Sequence, residues 1–148
     1  MPLRSASARP GPDRGSVLIL VPAGFLVMLL LASIAFDLSL LFLRQRQASS
    51  LAHDLANDVV TLALDEEHLR TTGRYRLDEA AAASIGRDLA LGSDLREQLR
   101  GVEVVVVDDD EVQVTVRIQV DYVFARALPG ARDGAEVAAT AVAEARPG

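Results

Sequence analysis

The chain has 148 residues, about one domain's worth, with 15 Arg, no Lys, 21 acidic residues and no Cys. The lack of cysteine excludes a disulfide framework, a thiolate metal site and a cysteine nucleophile. Residues 44–148 hold 12 of the 15 Arg and 19 of the 21 acids, and their net charge of −7 argues against a nucleic-acid surface.

Residues 16–36 contain no charged side chain, and the apolar texture resumes after Asp37 as Leu38, Leu40, Leu41, Phe42 and Leu43. About 20 apolar residues cross the roughly 30 Å of hydrocarbon in a bilayer, so residues 16–43 are expected to form a transmembrane helix behind a basic leader, 1–15. A buried core helix would show a polar face, and none is present over five turns. A cleaved signal peptide is the other reading, with Ser33-Ile34-Ala35 as the small-x-small site, but the apolar run exceeds the usual signal core of about 7–15 residues. Three Arg precede the span (Arg4, Arg9 and Arg14), and two, Arg44 and Arg46, follow it before acids dominate. The positive-inside rule therefore predicts a cytoplasmic N-terminus and an extracytoplasmic remainder, 44–148. Pro22 is expected to kink the helix near its entrance. Asp37 must lie at the outer interface or meet a partner, such as a basic neighbouring subunit, because a carboxylate in hydrocarbon is costly.

Beyond the span, Ala48, Leu51, Ala52, Leu55, Val59, Leu62 and Leu69 recur at helical spacing, so the membrane helix is expected to continue as an amphipathic rod over 44–70. Asp78 opens a second helix, 78–91, with Gly92 as its stop. Strands are predicted at 102–107 and 112–124, the latter with strict alternation from Val112 to Phe124. Asp108-Asp109-Asp110-Glu111 forms the hairpin connector, and Pro129-Gly130 marks a turn. The Ala-rich segment 136–144 reads as a third strand, although such runs also suit a helix. The fold class is thus α+β, an N-terminal transmembrane helix extended into the domain, then a short helix and a small antiparallel sheet covered on one face.

The chain offers little to chemistry. His53 and His68 have neither zinc-helix nor finger spacing. Asp65-Glu66-Glu67-His68 point in different directions on a helix, and the acidic hairpin lacks the pattern of a calcium loop. No catalytic triad, phosphate loop or nucleophile elbow is found, so an enzyme, a cofactor, a resident metal and a small-molecule substrate are not expected.

The order of these parts resembles the TadE/TadG-like proteins of the tight-adherence (Flp) pilus-assembly system. Carrying the resemblance are Asp13-Arg14-Gly15-Ser16 before the apolar run, Pro22 and Asp37 within it, then Phe42-Leu43-Arg44-Gln45-Arg46-Gln47-Ala48 and Ala52-His53-Asp54-Leu55-Ala56. Similarity to actinobacterial members extends through Leu62-Ala63-Leu64-Asp65, Val112 to Val116 and Asp121-Tyr122-Val123-Phe124-Ala125-Arg126-Ala127-Leu128-Pro129-Gly130, so that it touches most of the chain from Asp13 to Ala143. Gly15 and Ser16 fit a prepilin-type processing position, but Leu20 stands where such substrates have Glu. The likeness is to a short form without the von Willebrand-like domain of longer members, so no adhesion metal is implied. It implies a minor pilin-like or assembly component in a bacterial cell membrane, with lipid and other pilus subunits as partners. The expected interaction face on the rod is Leu51, Leu55, Val59 and Leu62. The alternative is a membrane-tethered extracytoplasmic module that binds a ligand or peptide.

Overall fold

The computed structural model describes residues 14–127, 129–130 and 132–145. It is α+β. Most of the leader, with Arg4 and Arg9, lies outside the described residues.

The first helix, α1, runs without interruption over Arg14–Leu62, 49 residues or about 73 Å. It passes through Pro22 as continuous helix. No Gly or Pro follows Gly24 until the helix has ended, so nothing in the sequence breaks it. Two hydroxyls on this apolar stretch are satisfied within the helix: Ser33 Oγ donates to the Leu29 carbonyl at 2.8 Å and Ser39 Oγ to Ala35 at 2.7 Å. The first half, residues 20–36, is exposed almost throughout. The second half carries the core.

The rod does not reach residue 70. It stops at Leu62, and a separate helix, α2, spans Glu66–Thr72. Asp65 is responsible, because its side chain caps α2 by accepting from the His68 N–H at 2.9 Å. Around the break, the backbone pairs with residues 76–78: Asp65 N–H donates to the Arg76 carbonyl at 2.9 Å and Asp78 N–H to Ala63 at 3.0 Å. Gly73 then closes α2 in the left-handed region, φ 71°. The third helix, α3, is Glu79–Leu91, capped as its sequence predicts by Asp78, which accepts from the Ala81 N–H at 2.9 Å.

Three strands, β1 (Leu99–Asp108), β2 (Glu111–Asp121) and β3 (Gly134–Glu144), form an antiparallel sheet in the order β1-β2-β3. Residues 102–107 therefore sit inside a longer strand, and the Ala-rich third strand is real. Its alternation is clean: Val137, Ala139, Ala141 and Ala143 are buried, while Ala138, Thr140 and Val142 face water. β2 supplies Val112, Val114, Val116, Ile118 and Val120 to the same inner face.

Helix α1 lies across β3 and β2, and α3 lies against β1. Both helix and strand present small residues at the seam. Ala48, Ala52 and Ala56, spaced by four on α1, join the alanines of β3 in one core, so the backbones approach closely. Gln45 Nε2 donates to the Ala138 carbonyl at 3.2 Å and ties the helix to the outer strand. On the open face, Thr115 and Thr140 share a hydrogen bond at 3.0 Å and Arg117 pairs with Glu103 at 2.9 Å. Val105, Val107 and Val142 are exposed there too, so that face is only partly polar.

Gly86, in the middle of α3, has a packing reason. A Cβ built there would come within 2.5 Å of Val104 Cγ2 and 3.5 Å of Val59 Cγ2, where α3 meets β1 and α1. Gly86→Leu is expected to lower the stability of the domain by about 1–3 kcal/mol through overpacking, as measured by denaturant unfolding of the full chain in detergent. A variant as stable as the parent would mean that the helix is held less tightly than this contact indicates.

Candidate functional site

Among the described residues Asp37 is the one buried charged side chain, 6% exposed. It sits about three-quarters of the way along the chain's apolar stretch, where the helix first meets the folded domain. Its carboxylate accepts from three successive backbone N–H groups. Oδ1 takes Val123 at 3.0 Å and Phe124 at 3.3 Å, and Oδ2 takes Phe124 at 3.2 Å and Ala125 at 2.8 Å. The acceptor comes from α1 and the donors from the segment after β2, more than eighty residues away in sequence.

Local sequence explains the donors. A single 3-10 turn, Ala125–Ala127, follows β2. The opening of any helical turn leaves N–H groups without intrahelical acceptors, and a carboxylate there makes charge-assisted bonds. Asp37 thus caps this turn from another element. The strand expected to run to Phe124 accordingly ends at Asp121, with one further backbone bond from Tyr122 N–H to the Asp133 carbonyl at 2.9 Å. Tyr122 and Phe124 do not continue the alternation of β2. Instead, Phe124 meets Phe36 edge to face, with ring centroids 5.4 Å apart.

Between α1 and this segment lies a groove of about 390 Å³, walled by Leu30, Ile34 and Leu38 on the helix and by Tyr122 and Phe124 on the domain. The Ser33 hydroxyl and Asp37 carboxylate also line it, and both are bonded within the chain. The groove's lining is therefore mostly apolar. The arrangement holds and orients; it presents no pair of groups placed for proton transfer or nucleophilic attack.

The other residues singled out from sequence lie elsewhere. Gly15 and Ser16 fall in the first turn of α1, roughly 30 Å along the helix from Asp37. Leu20 is exposed. Of the expected interaction face, Leu55 and Val59 are 3% and 0% exposed in the chain's own core, Leu51 is half-buried and packs against that core, and Leu62 alone is open to solvent. The amphipathic stripe that suggested a partner is satisfied by the chain's own sheet. Asp37 likewise finds its partners at home, in backbone amides rather than in a basic neighbour. His53 is exposed and His68 is half-buried beside the cap of α2. Glu66 pairs with Arg70 at 2.9 Å, and among the described residues no three His, Asp or Glu side chains converge on a metal position. Asp109 and Asp110 form the hairpin turn, and their carbonyls accept from Leu77 and Ala145 at 2.9 and 2.7 Å.

Searches with protein-family models, curated proteins and solved structures give no match to this chain. Function must therefore be argued from the site and the sequence.

The signal that could have located the site is Asp37 itself. A lone carboxylate in an apolar helix requires donors, and the segment after β2, with its Pro129-Gly130 turn, carries amides that no strand partner takes.

Two outcomes follow. Asp37→Asn puts an amide donor against the row of N–H groups, so hydrogen exchange at Val123, Phe124 and Ala125 should accelerate by at least about tenfold, while α1 stays helical; unchanged exchange there would show the cap to be dispensable. Leu55→Asp should destabilise the whole domain by about 4 kcal/mol or more, by burying an unpaired charge. Thermal unfolding of the purified chain checks it, and a folded domain that had merely lost its binding partners would restore Leu55 to an intermolecular face.

Proposed function

We propose that this chain is a membrane-anchored, minor pilin-like or assembly component of a Tad/Flp-type pilus or secretion system, acting through helix-mediated contacts with other subunits. The single observation that carries the reading is that one helix serves two purposes. Its first half is apolar and exposed almost throughout, meeting the domain only toward Phe36 among the described residues, and its second half is the core helix of the α+β domain. Residues 20–36 carry no charge and are almost all exposed, as a membrane segment would be and a soluble core helix would not.

The resemblance in motif order from Asp13 to Ala143 supports the same assignment. In this reading the N-terminus is cytoplasmic and the domain extracytoplasmic. The lipid-embedded faces of residues 20–36 meet neighbouring helices, and no catalytic residue or cofactor is assigned. The binding-module alternative would have to use the mostly apolar groove, which offers a polar ligand little.

Photo-crosslinkers placed singly at Leu26 and Met28 in cells making the full chain are expected to give adducts with other single-pass subunits of the same machine. Deletion of the chain should lower piliation or secretion. Normal piliation and secretion in the deletion strain, together with adducts to lipid alone, would refute the assembly role.

A further inference from the structure

We infer that the foot of the domain, at Tyr122, Val123, Phe124, Arg126 and Arg132, is a second membrane contact, with Val123 and Phe124 seated in the outer leaflet and Arg126 and Arg132 beside the phosphates of anionic lipid headgroups. The inference rests on the anchor reading above and adds to it that the domain, and not the helix alone, touches lipid.

Height is the first argument. The bonds from Asp37 fix the backbone of residues 123–125 at the level of residue 37 on the helix. Arg14 to Asp37 is about 35 Å of helix, against about 30 Å of hydrocarbon. If Arg14 stays at the inner boundary, the outer boundary falls within a turn of Asp37, so Val123 and Phe124 are held where hydrocarbon gives way to headgroups.

The chemistry agrees. Val123 and Phe124 are 43% and 45% exposed, although Phe124 already packs one edge on Phe36. Large apolar groups left open beside an apolar helix form one continuous surface with it. The groove behind them has Leu30, Ile34 and Leu38 at helical spacing along one wall, and its carboxylate and Ser33 hydroxyl are spent internally. An acyl chain fits such a lining; a polar metabolite does not. Tyr122, with an apolar ring and a polar tip, suits the boundary itself.

Charge supplies the complement. Residues 122–132 contain two charged side chains, Arg126 and Arg132, both exposed, in a domain whose overall balance is −7. Basic groups at a membrane surface are drawn to anionic headgroups, whereas the acidic remainder is repelled. Leu38 and Phe42, 60% and 72% exposed and one turn apart, carry the apolar strip upward on the helix, which a modest tilt would immerse.

The chain has no tryptophan, so one indole can report on the foot. The full chain carrying Phe124→Trp, reconstituted in bilayers whose lipids are brominated on the acyl chain near the headgroup, should lose most of its emission to quenching. Leu29→Trp, in the span, should also be quenched, and Val142→Trp, on the open sheet face, should not. Quenching at the foot should deepen when anionic lipid replaces zwitterionic lipid, and adding R126Q with R132Q should abolish that difference. Quenching of Leu29→Trp with Phe124→Trp no more affected than Val142→Trp overturns the lipid contact and leaves the anchor standing. No quenching of Leu29→Trp overturns the anchor first. Shielding of Phe124→Trp that appears only at high protein-to-lipid ratio assigns the foot to a second copy of the chain and also overturns the inference. An unchanged response to anionic lipid in the double-arginine variant overturns the headgroup contact.

Discussion

A carboxylate on an apolar helix must find donors or remain in water, and at Asp37 it finds three amides in a row. Much of the lower domain follows from that requirement. β2 has to end at Asp121 so that the next residues can turn their N–H groups toward the helix, and the 3-10 turn at Ala125–Ala127 is the shape that presents them. The same turn brings Phe124 onto Phe36 and opens the groove beside Ile34 and Leu38. Because the donors are backbone amides, the contact depends on the conformation of residues 123–125 more than on their side chains. The acid on the helix is the part that sequence can change.

Above Asp37 the same helix becomes the core of the domain. The seam of Ala48, Ala52 and Ala56 against the alanines of β3 draws α1 close to the sheet, and Gly86 lets α3 close in from the other side. Small residues on both partners replace the large-into-small interlocking of most cores. The consequence is mechanical. No loop separates the apolar half of α1 from the domain, and the first break, at residues 63–65, comes only after Val59 and Val60, the last core residues of α1. A tilt or shift of the lower half is passed to the sheet as a rigid-body movement, with no hinge in between to absorb it.

Periodicity made the elements legible. The 21 uncharged residues, the alternation from Val112 to Val120 and the Asp78 cap each correspond to what the chain forms. Local pattern could not reveal which surfaces the elements would satisfy among themselves. Leu55 and Val59 look alike whether their partner is a sheet of the same chain or a helix of another, because apolar spacing fixes a buried face and not its cover. The alternation also ran too far, through Tyr122 and Phe124, since the competing interest of Asp37 in those amides lies some eighty-five residues away. Asp65 was visible as part of an acidic run but not as a cap, although an Asp ahead of two Glu is a sound helix opening. Of the site, one residue was apparent and its partners were not.

Fixing the domain to the helix matters most where the helix has least to bind with. In lipid there is no hydrophobic gain from joining two apolar helices, so the proposed association through residues 20–36 would come from close packing at small positions such as Ala23, Gly24, Ala32 and Ala35. A would-be Cβ at Gly24 meets nothing within 4 Å, which leaves that position open to a neighbour's backbone. Packing of this kind is sensitive to rotation about the helix axis, and a free helix loses orientational entropy on choosing one face. On the proposed placement, a domain locked to the helix by Asp37, with its foot on the bilayer, would already have made that choice. If the proposed anchor and partner hold, the carboxylate that shapes the foot would therefore also set which side of the helix that partner meets.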